Sequence, residues 1–205
     1  MGLNEKMKTI IAVPARLNSS RLPKKVLADI GGKPMLIRVL EQCKKINFES
    51  KIVLCTDSEE LSQLAQTIDI KSIITSEDCK SGSERIASVA KDLVEIAWDK
   101  ESVSVDNQPN FYFKKKNTLI INVQGDQPFL EPNVINEMNC FFENQKEIPA
   151  VVTPIYKLKK ESIHNPSVVK TLINNKGEAI YFSRSAIPFI RDKEKDLWFL
   201  HYDYW

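Results

Sequence analysis

The sequence predicts an α/β fold: a mostly parallel sheet flanked by helices, with a small β-rich subdomain toward the C-terminus. Three observations predict it. Short apolar runs of strand length recur at Thr9–Val13, Lys51–Thr56 and Leu119–Val123, and read as buried strands. Segments of helical period separate them in the order β-α-β-α-β, which right-handed crossovers connect into parallel pairs. From about residue 150 that alternation stops, and the chain reads as a strand followed by a hairpin.

The first strand runs over Thr9-Ile10-Ile11-Ala12-Val13 and breaks at Pro14. Leu27-Ala28-Asp29-Ile30 reads as a short edge segment, and Gly31-Gly32-Lys33-Pro34 as a turn with Pro34 at a helix start. Met35, Leu36, Val39, Leu40 and Cys43 carry the first helix. After the second strand, the cluster Thr56-Asp57-Ser58-Glu59-Glu60 starts a helix over Leu61–Ile68, and Ile70–Thr75 is a short third strand. Ser81-Gly82-Ser83-Glu84 has capping-box spacing before a helix carrying Ile86, Val89, Ala90, Leu93 and Val94. Residues 98–117, which include Phe111-Tyr112-Phe113 and three lysines in a row, read as an exposed insertion. Leu119–Val123 is the clearest central strand, and Asn133–Phe142 is a further helix. Ala150–Ile155 reads as a strand. Val168–Ile173 and Ala179–Phe182 form a hairpin around Asn174-Asn175-Lys176-Gly177.

The chemistry concentrates where the first strand ends. Arg16, Arg21, Lys24 and Lys25, with Ser19 and Ser20, come directly after it. Ligands of open α/β sheets gather beyond the carboxyl ends of the strands, and this loop offers an anion guanidinium forks, ammonium charge and hydroxyls. It is neither a P-loop nor a G-x-G-x-x-G turn, because no glycine lies between Gly2 and Gly31. Asp126, beside Gly125 past a buried strand, has two readings: a turn or cap residue, or a magnesium ligand facing the cationic loop. Ser81, Gly82 and Arg85 likewise start a capped helix, or hold an anion or ribose at its beginning.

Composition excludes several classes. Lys+Arg 29 against Asp+Glu 27 gives a net charge of +2, so no bulk field draws nucleic acid or membrane. The four cysteines include no C-x-x-C pair, and with only two histidines, His164 and His201, the sequence argues against zinc and a disulfide framework and for a reducing cytoplasm. No apolar run reaches membrane-spanning length, the N-terminus lacks a signal-peptide core, and Lys6 stands where a myristoylation motif needs Ser or Thr.

Taken together, Pro14-Ala15-Arg16, Arg21-Leu22-Pro23-Lys24-Lys25, Gly32-Lys33-Pro34-Met35, Thr56-Asp57, Ser81-Gly82-Ser83-Glu84-Arg85 and Val123-Gln124-Gly125-Asp126-Gln127-Pro128 stand in a recognisable order. Asn165-Pro166, Val168-Val169-Lys170, Tyr181-Phe182-Ser183-Arg184 and Ile187-Pro188 complete it. The chain resembles the 3-deoxy-manno-octulosonate (Kdo) cytidylyltransferases over nearly its whole length. The resemblance implies a Rossmann-like sheet of the nucleotide-diphospho-sugar transferase type. It implies a nucleotide-binding core over 1–149 and an incomplete sugar-binding and dimerisation subdomain over 150–205. The implied reaction is attack of the anomeric hydroxyl of Kdo, or a close acidic sugar, on the α-phosphate of CTP with Mg2+, giving CMP-sugar and pyrophosphate for lipopolysaccharide synthesis. Arg16, Lys25 and Asp126 are the implied catalytic residues, with Asp126 the metal ligand. Ala15, Arg16, Ser19, Arg21, Lys25, Ser81, Gly82 and Arg85 would bind the nucleotide, and Gln124 and Arg184 the sugar. The implied partners are CTP and the acidic eight-carbon sugar, with no nucleic acid, no membrane, and a second copy in the family's homodimer.

The chain departs from the family pattern in several places. Lys24 stands in the loop where the family usually has Gly, Cys79 where it usually has His, and Gln127 where it usually has Glu. The family also continues beyond the position of Trp205 with a second metal-binding Asp, sugar contacts and dimer surface. The departures keep an alternative in view: a degenerate, inactive relative that binds nucleotide or a partner.

Overall fold

The computed structural model describes residues 7–18, 22–99, 118–189 and 202–204. They fall into two compact units, Met1–Asn139 and Cys140–Trp205. The sequence reading places this division at 149/150. Of the segment 98–117 expected as an exposed insertion, only Trp98 and Asp99 are described: Trp98 is half-buried against the Ile10 and Ala12 face of the sheet rather than exposed, and residues 100–117 lie outside the described residues.

The first unit contains β1 (Lys8–Ala15), α1 (Met35–Cys43), β2 (Ser50–Thr56), α2 (Glu59–Gln66), β3 (Lys71–Ile74), α3 (Gly82–Ser88), α4 (Ala90–Ala97) and β4 (Thr118–Asn122). The helix α5 (Pro132–Glu143) crosses into the second unit. The four strands are parallel and lie in the order β3-β2-β1-β4. Strand β1 is central, and every residue from Thr9 to Ala15 is buried. Its pleat supplies both faces. Ile11, Val13 and Ala15 pack with Leu36, Leu40, Leu54, Leu61 and Ile135 on one side. Ile10 and Ala12 pack with Val53, Cys55, Ile86 and Leu93 on the other. A strand covered on both faces has no solvent side, which is why its sequence is a continuous apolar run.

Burial also sets the thiol chemistry. Cys43 and Cys55 are fully buried, and desolvation of the thiolate pushes both pKa values up to about 12. Cys79 is half-buried and Cys140 exposed. Native protein treated with iodoacetamide at pH 8 is therefore expected to alkylate at Cys79 and Cys140. Cys43 and Cys55 should label only after denaturation, as read by peptide mass spectrometry.

Three segments differ from the sequence reading. The helix expected over Ile86–Val94 is two helices, α3 and α4, broken at Val89. There the Ser88 hydroxyl donates to the Arg85 carbonyl at 2.8 Å, a local bond that competes with helix propagation. The segment after Lys24 forms a 3-10 turn, Lys25–Leu27, and an isolated bridge between Asp29 and Pro34 rather than an edge strand. In the second unit, β5 is Ile155–Lys157, so the strand starts at the residue where the expected strand, Ala150–Ile155, ends. Pro154 has no N–H to donate, and the pairing partner of β5 is itself three residues long, Tyr202–Tyr204 (β8).

The second unit is an antiparallel sheet in the order β5-β8-β6-β7, with β6 at Val169–Ile173 and β7 at Ala179–Ser183. The expected hairpin turn is present. Asn174 Oδ1 accepts from the N–H groups of Lys176 and Glu178, both at 2.9 Å, and Gly177 takes φ +79°. No helix among the described residues is long and apolar enough to cross a membrane.

Candidate active site

The chain runs outward from β1 through β2 to β3 and then returns to place β4 on the other side of β1. The strand order therefore reverses between β1 and β4, and a crevice opens at their carboxyl ends. A cleft of about 460 Å3 lies there. One wall comes from the end of β1 and its loop: Pro14, Ala15, Arg16, Lys25 and Val26. Gln124, Gly125 and Asp126 line it from the end of β4, and Lys80, Ser81, Gly82 and Arg85 from the start of α3.

The β1 and β4 ends are held at fixed spacing beyond the last ladder pair. Val123 N–H donates to the Ala12 carbonyl at 3.0 Å, and Gly125 N–H to the Pro14 carbonyl at 3.2 Å. This brings Lys25 across to Asp126, with Nζ 2.6 Å from Oδ2. Asp126 is the one carboxylate lining the cleft among the described residues. One ammonium hydrogen engages Asp126, leaving two donors for an incoming anion. Arg16 and Lys80 line the same cleft, are exposed, and have no ion-pair partner among the described residues. The site thus pairs surplus cationic charge with a single hard oxygen ligand, which suits a polyphosphate.

Lys24 begins the 3-10 turn that delivers Lys25, and it sits in the left-handed region at φ +53°, ψ +30°. This is the position where the resemblance implies Gly. A lysine there carries a steric cost of roughly 1–2 kcal/mol that glycine does not. Its exposed ion pair with Glu60, at 3.2 Å, returns little. The substitution Lys24→Gly is expected to raise stability by about 0.5–1 kcal/mol, net of glycine's larger unfolded-state entropy, as read from the urea midpoint.

The α3 wall is built by a variant of the capping box read from the sequence, in which Glu84 reaches the N–H before Ser81 rather than that of Ser81 itself. Ser81 Oγ accepts from Glu84 N–H at 3.1 Å, and Glu84 Oε2 accepts from Lys80 N–H at 2.9 Å. Gly82 is required by close approach. A Cβ there would lie 2.9 Å from Gln124 Oε1 and 2.9 Å from Pro14 Cγ. Gln124 is oriented from behind, its Nε2 donating to Asn122 Oδ1 at 2.9 Å.

Arg85 is placed differently from its expected role on the cytidine and ribose side. It touches the cleft but is 2% exposed, and its donors are directed into the protein. Nη2 donates to Asp57 Oδ2 at 2.9 Å, and Nη1 donates to Thr75 Oγ1 and to the Ser76 carbonyl. Removing either charge of so buried a pair strands the other, at about 3–5 kcal/mol.

The structure therefore brings together Ala15, Arg16, Lys25, Ser81, Gly82, Arg85, Gln124 and Asp126. Ser19 and Arg21 lie outside the described residues. Arg184 does not line this cleft. It lies in the second unit, exposed, with its guanidinium donating to the Pro166 carbonyl at 2.9 Å. Two further residues of the site have no site role in the sequence reading: Lys80, whose signal is its place inside the Cys79–Arg85 run, and Asp57, which is read in the helix-start cluster Thr56–Glu60 and in the motif Thr56-Asp57.

The sequence model of the family described as cytidylyltransferase matches residues 10–203. The 3-deoxy-manno-octulosonate cytidylyltransferase of Polynucleobacter necessarius is 39% identical over 194 residues, covering 94% of this chain and 68% of that protein. The chain belongs to this family. The cytidylyltransferase of the same name from Chloroherpeton thalassium is 36% identical over 190 residues, covering 92% of this chain and 68% of its own length. As a member of the family, the chain thus spans about two thirds of these relatives. A solved CMP:2-keto-3-deoxy-manno-octonic acid synthetase complexed with CTP superposes with a TM-score of 0.73 at 31% identity, over 96% of this chain and 71% of that one. A 4-diphosphocytidyl-2C-methyl-D-erythritol synthase shares the fold at a TM-score of 0.52 and 15% identity. The expected α/β class of a nucleotide-sugar transferase holds.

Proposed function

We propose that this chain is a nucleotidyltransferase that couples CTP to 3-deoxy-manno-octulosonate or a close acidic sugar, releasing pyrophosphate. The observation that carries the reading is the cationic cleft at the β1/β4 reversal, with Lys25 Nζ 2.6 Å from Asp126, in a chain 39% identical to a cytidylyltransferase for that sugar. The sugar's anomeric hydroxyl attacks the α-phosphorus as the bond to the bridging oxygen of pyrophosphate breaks, and the hydroxyl proton leaves to solvent or phosphate. Such a displacement depends on alignment and charge neutralisation more than on covalent chemistry. Arg16, Lys25 and Lys80 are the residues for the phosphates, and Ser81 and Gly82 for the nucleoside side. Gln124, fixed by Asn122, presents its amide for a sugar hydroxyl, and Arg184 offers the planar fork that a sugar carboxylate needs.

The residues fit Mg2+. This ion takes one or two carboxylates and completes its shell with phosphate oxygens and water, so the single carboxylate Asp126 suffices without a cluster of protein ligands. When bound, it would supply charge neutralisation of the phosphates and acidify the attacking hydroxyl. The deciding experiment is pyrophosphate release from CTP and Mg2+ with and without the sugar. Sugar-dependent release is expected. CTP binding without release, at any sugar concentration, would contradict the reading.

A further inference from the structure

Asp57 sits immediately beyond β2 and uses both carboxylate oxygens. Oδ2 accepts from Arg85 Nη2 at 2.9 Å, and Oδ1 accepts from the backbone N–H of Leu17 at 3.2 Å. Its side chain is 11% exposed and that of Arg85 3%. Arg85 also holds Thr75 and Ser76, which leave β3. One buried ion pair therefore ties the exits of β1, β2 and β3 to α3. A carboxylate devoted to Arg85 alone could give both oxygens to the guanidinium fork; here one is directed elsewhere. The second oxygen grips the residue after Arg16, the exposed cation on the cleft's lip.

We propose that Asp57 is a positioning residue for nucleotide binding: by holding Leu17 N–H it sets the Arg16 turn against the Ser81–Gly82 wall, so that the two grip the phosphate and nucleoside parts of one nucleotide. The inference rests on the nucleotidyl-transfer reading. Asp57 touches no substrate in this role and acts through the Arg16 backbone. An aspartate suits the position because one rigid carboxylate compensates the buried guanidinium and accepts a loop N–H together. Asparagine retains an oxygen for Leu17 but leaves Arg85 uncompensated.

The test is a double-mutant cycle on CTP affinity by calorimetry, with amide hydrogen exchange at Leu17 measured on the free protein. Arg16→Ala is expected to weaken CTP about tenfold, the scale of one charge-assisted hydrogen bond. Asp57→Ala should weaken CTP by a similar factor and accelerate Leu17 exchange. The double variant should be no worse than Arg16→Ala alone. Losses that multiply across the cycle, or Leu17 exchange unchanged in Asp57→Ala, would overturn the proposal. Where the alanine variant does not fold for want of a counter-charge to Arg85, Asp57→Ala with Arg85→Met removes both charges and carries the same readouts; Asp57→Asn separates the charge from the loop bond. It should keep Leu17 protected and CTP affinity within about threefold of the parent. A loss as large as that of Arg16→Ala with Leu17 still protected would overturn the role. Failure of the parent protein to bind CTP would overturn the nucleotidyl-transfer reading and this proposal with it, whereas CTP binding by the parent with unchanged Leu17 exchange in Asp57→Ala would overturn the proposal alone.

Discussion

Asp126→Asn is expected to lower sugar-dependent pyrophosphate release by about 10²–10³-fold, the range seen when one preorganised charge-stabilising group is removed. The fold should be spared. Asp126 and Lys25 are 44% and 37% exposed, and an ion pair so solvated contributes little to stability. Stability read from urea unfolding should therefore move by no more than about 0.5 kcal/mol. Asparagine is nearly isosteric, so the change is in charge. The amide oxygen is a weak ligand for a hard divalent ion, and it no longer compensates Lys25. Raising Mg2+ separates these effects. Partial recovery at high Mg2+ assigns the loss to metal affinity, whereas a loss that Mg2+ does not touch assigns it to the orientation of Lys25. Unchanged turnover at low Mg2+ would remove Asp126 from the chemistry.

Much of this site was legible because its makers are local. β1 is an uninterrupted apolar run, and a strand without a polar face must be covered on both sides, which fixes it at the centre of an α/β sheet. Residues just past the carboxyl ends of such strands are then candidates for ligand contact, and Arg16, Lys25, Gln124 and Asp126 all stand there. The capping box was legible for the same reason, since Ser81 and Glu84 are one helical turn apart. The pairings across the chain were not. Asp57 with Arg85, and Asp57 with Leu17, join residues from different crossovers, and no periodicity records them. Arg85 reads from the sequence as a ligand residue because a guanidinium beside a helix start is useful in either role. Only the fold, which buries it to 2% exposure and turns its donors onto Asp57, Thr75 and Ser76, separates the two roles. The break at Val89 was hidden because the apolar spacing continues through it, while the interruption comes from a serine hydroxyl bonding locally.

Gly125→Ala is expected to damage both stability and turnover, although Gly125 carries no chemistry. Its φ is not in the left-handed region, so conformational freedom is not what the position requires. The constraint is space. A Cβ there would sit 2.9 Å from the Pro14 carbonyl oxygen and 3.0 Å from Ala15 Cβ. The first contact is with backbone, and that same oxygen accepts the Gly125 N–H at 3.2 Å, so neither side can yield without parting the ends of β1 and β4. Overpacking of this kind costs about 1–3 kcal/mol, a visible fall in the urea midpoint. The catalytic cost should be larger, because separating these two ends separates Lys25 from Asp126, and a misplacement of about 1 Å is worth roughly 10²-fold in rate. Gly82→Ala gives the contrast. Its nearest neighbours are the Gln124 amide, which can swing away, and the Pro14 ring, which is fixed to β1 but against which the start of α3 can shift, so relaxation there can leave the β1/β4 spacing intact. Gly82→Ala should therefore raise the sugar KM through Gln124 while keeping kcat within about tenfold of the parent, whereas Gly125→Ala lowers kcat itself. Equal behaviour of the two variants in KM and kcat would mean that the spacing of β1 and β4 does not set the Lys25–Asp126 geometry.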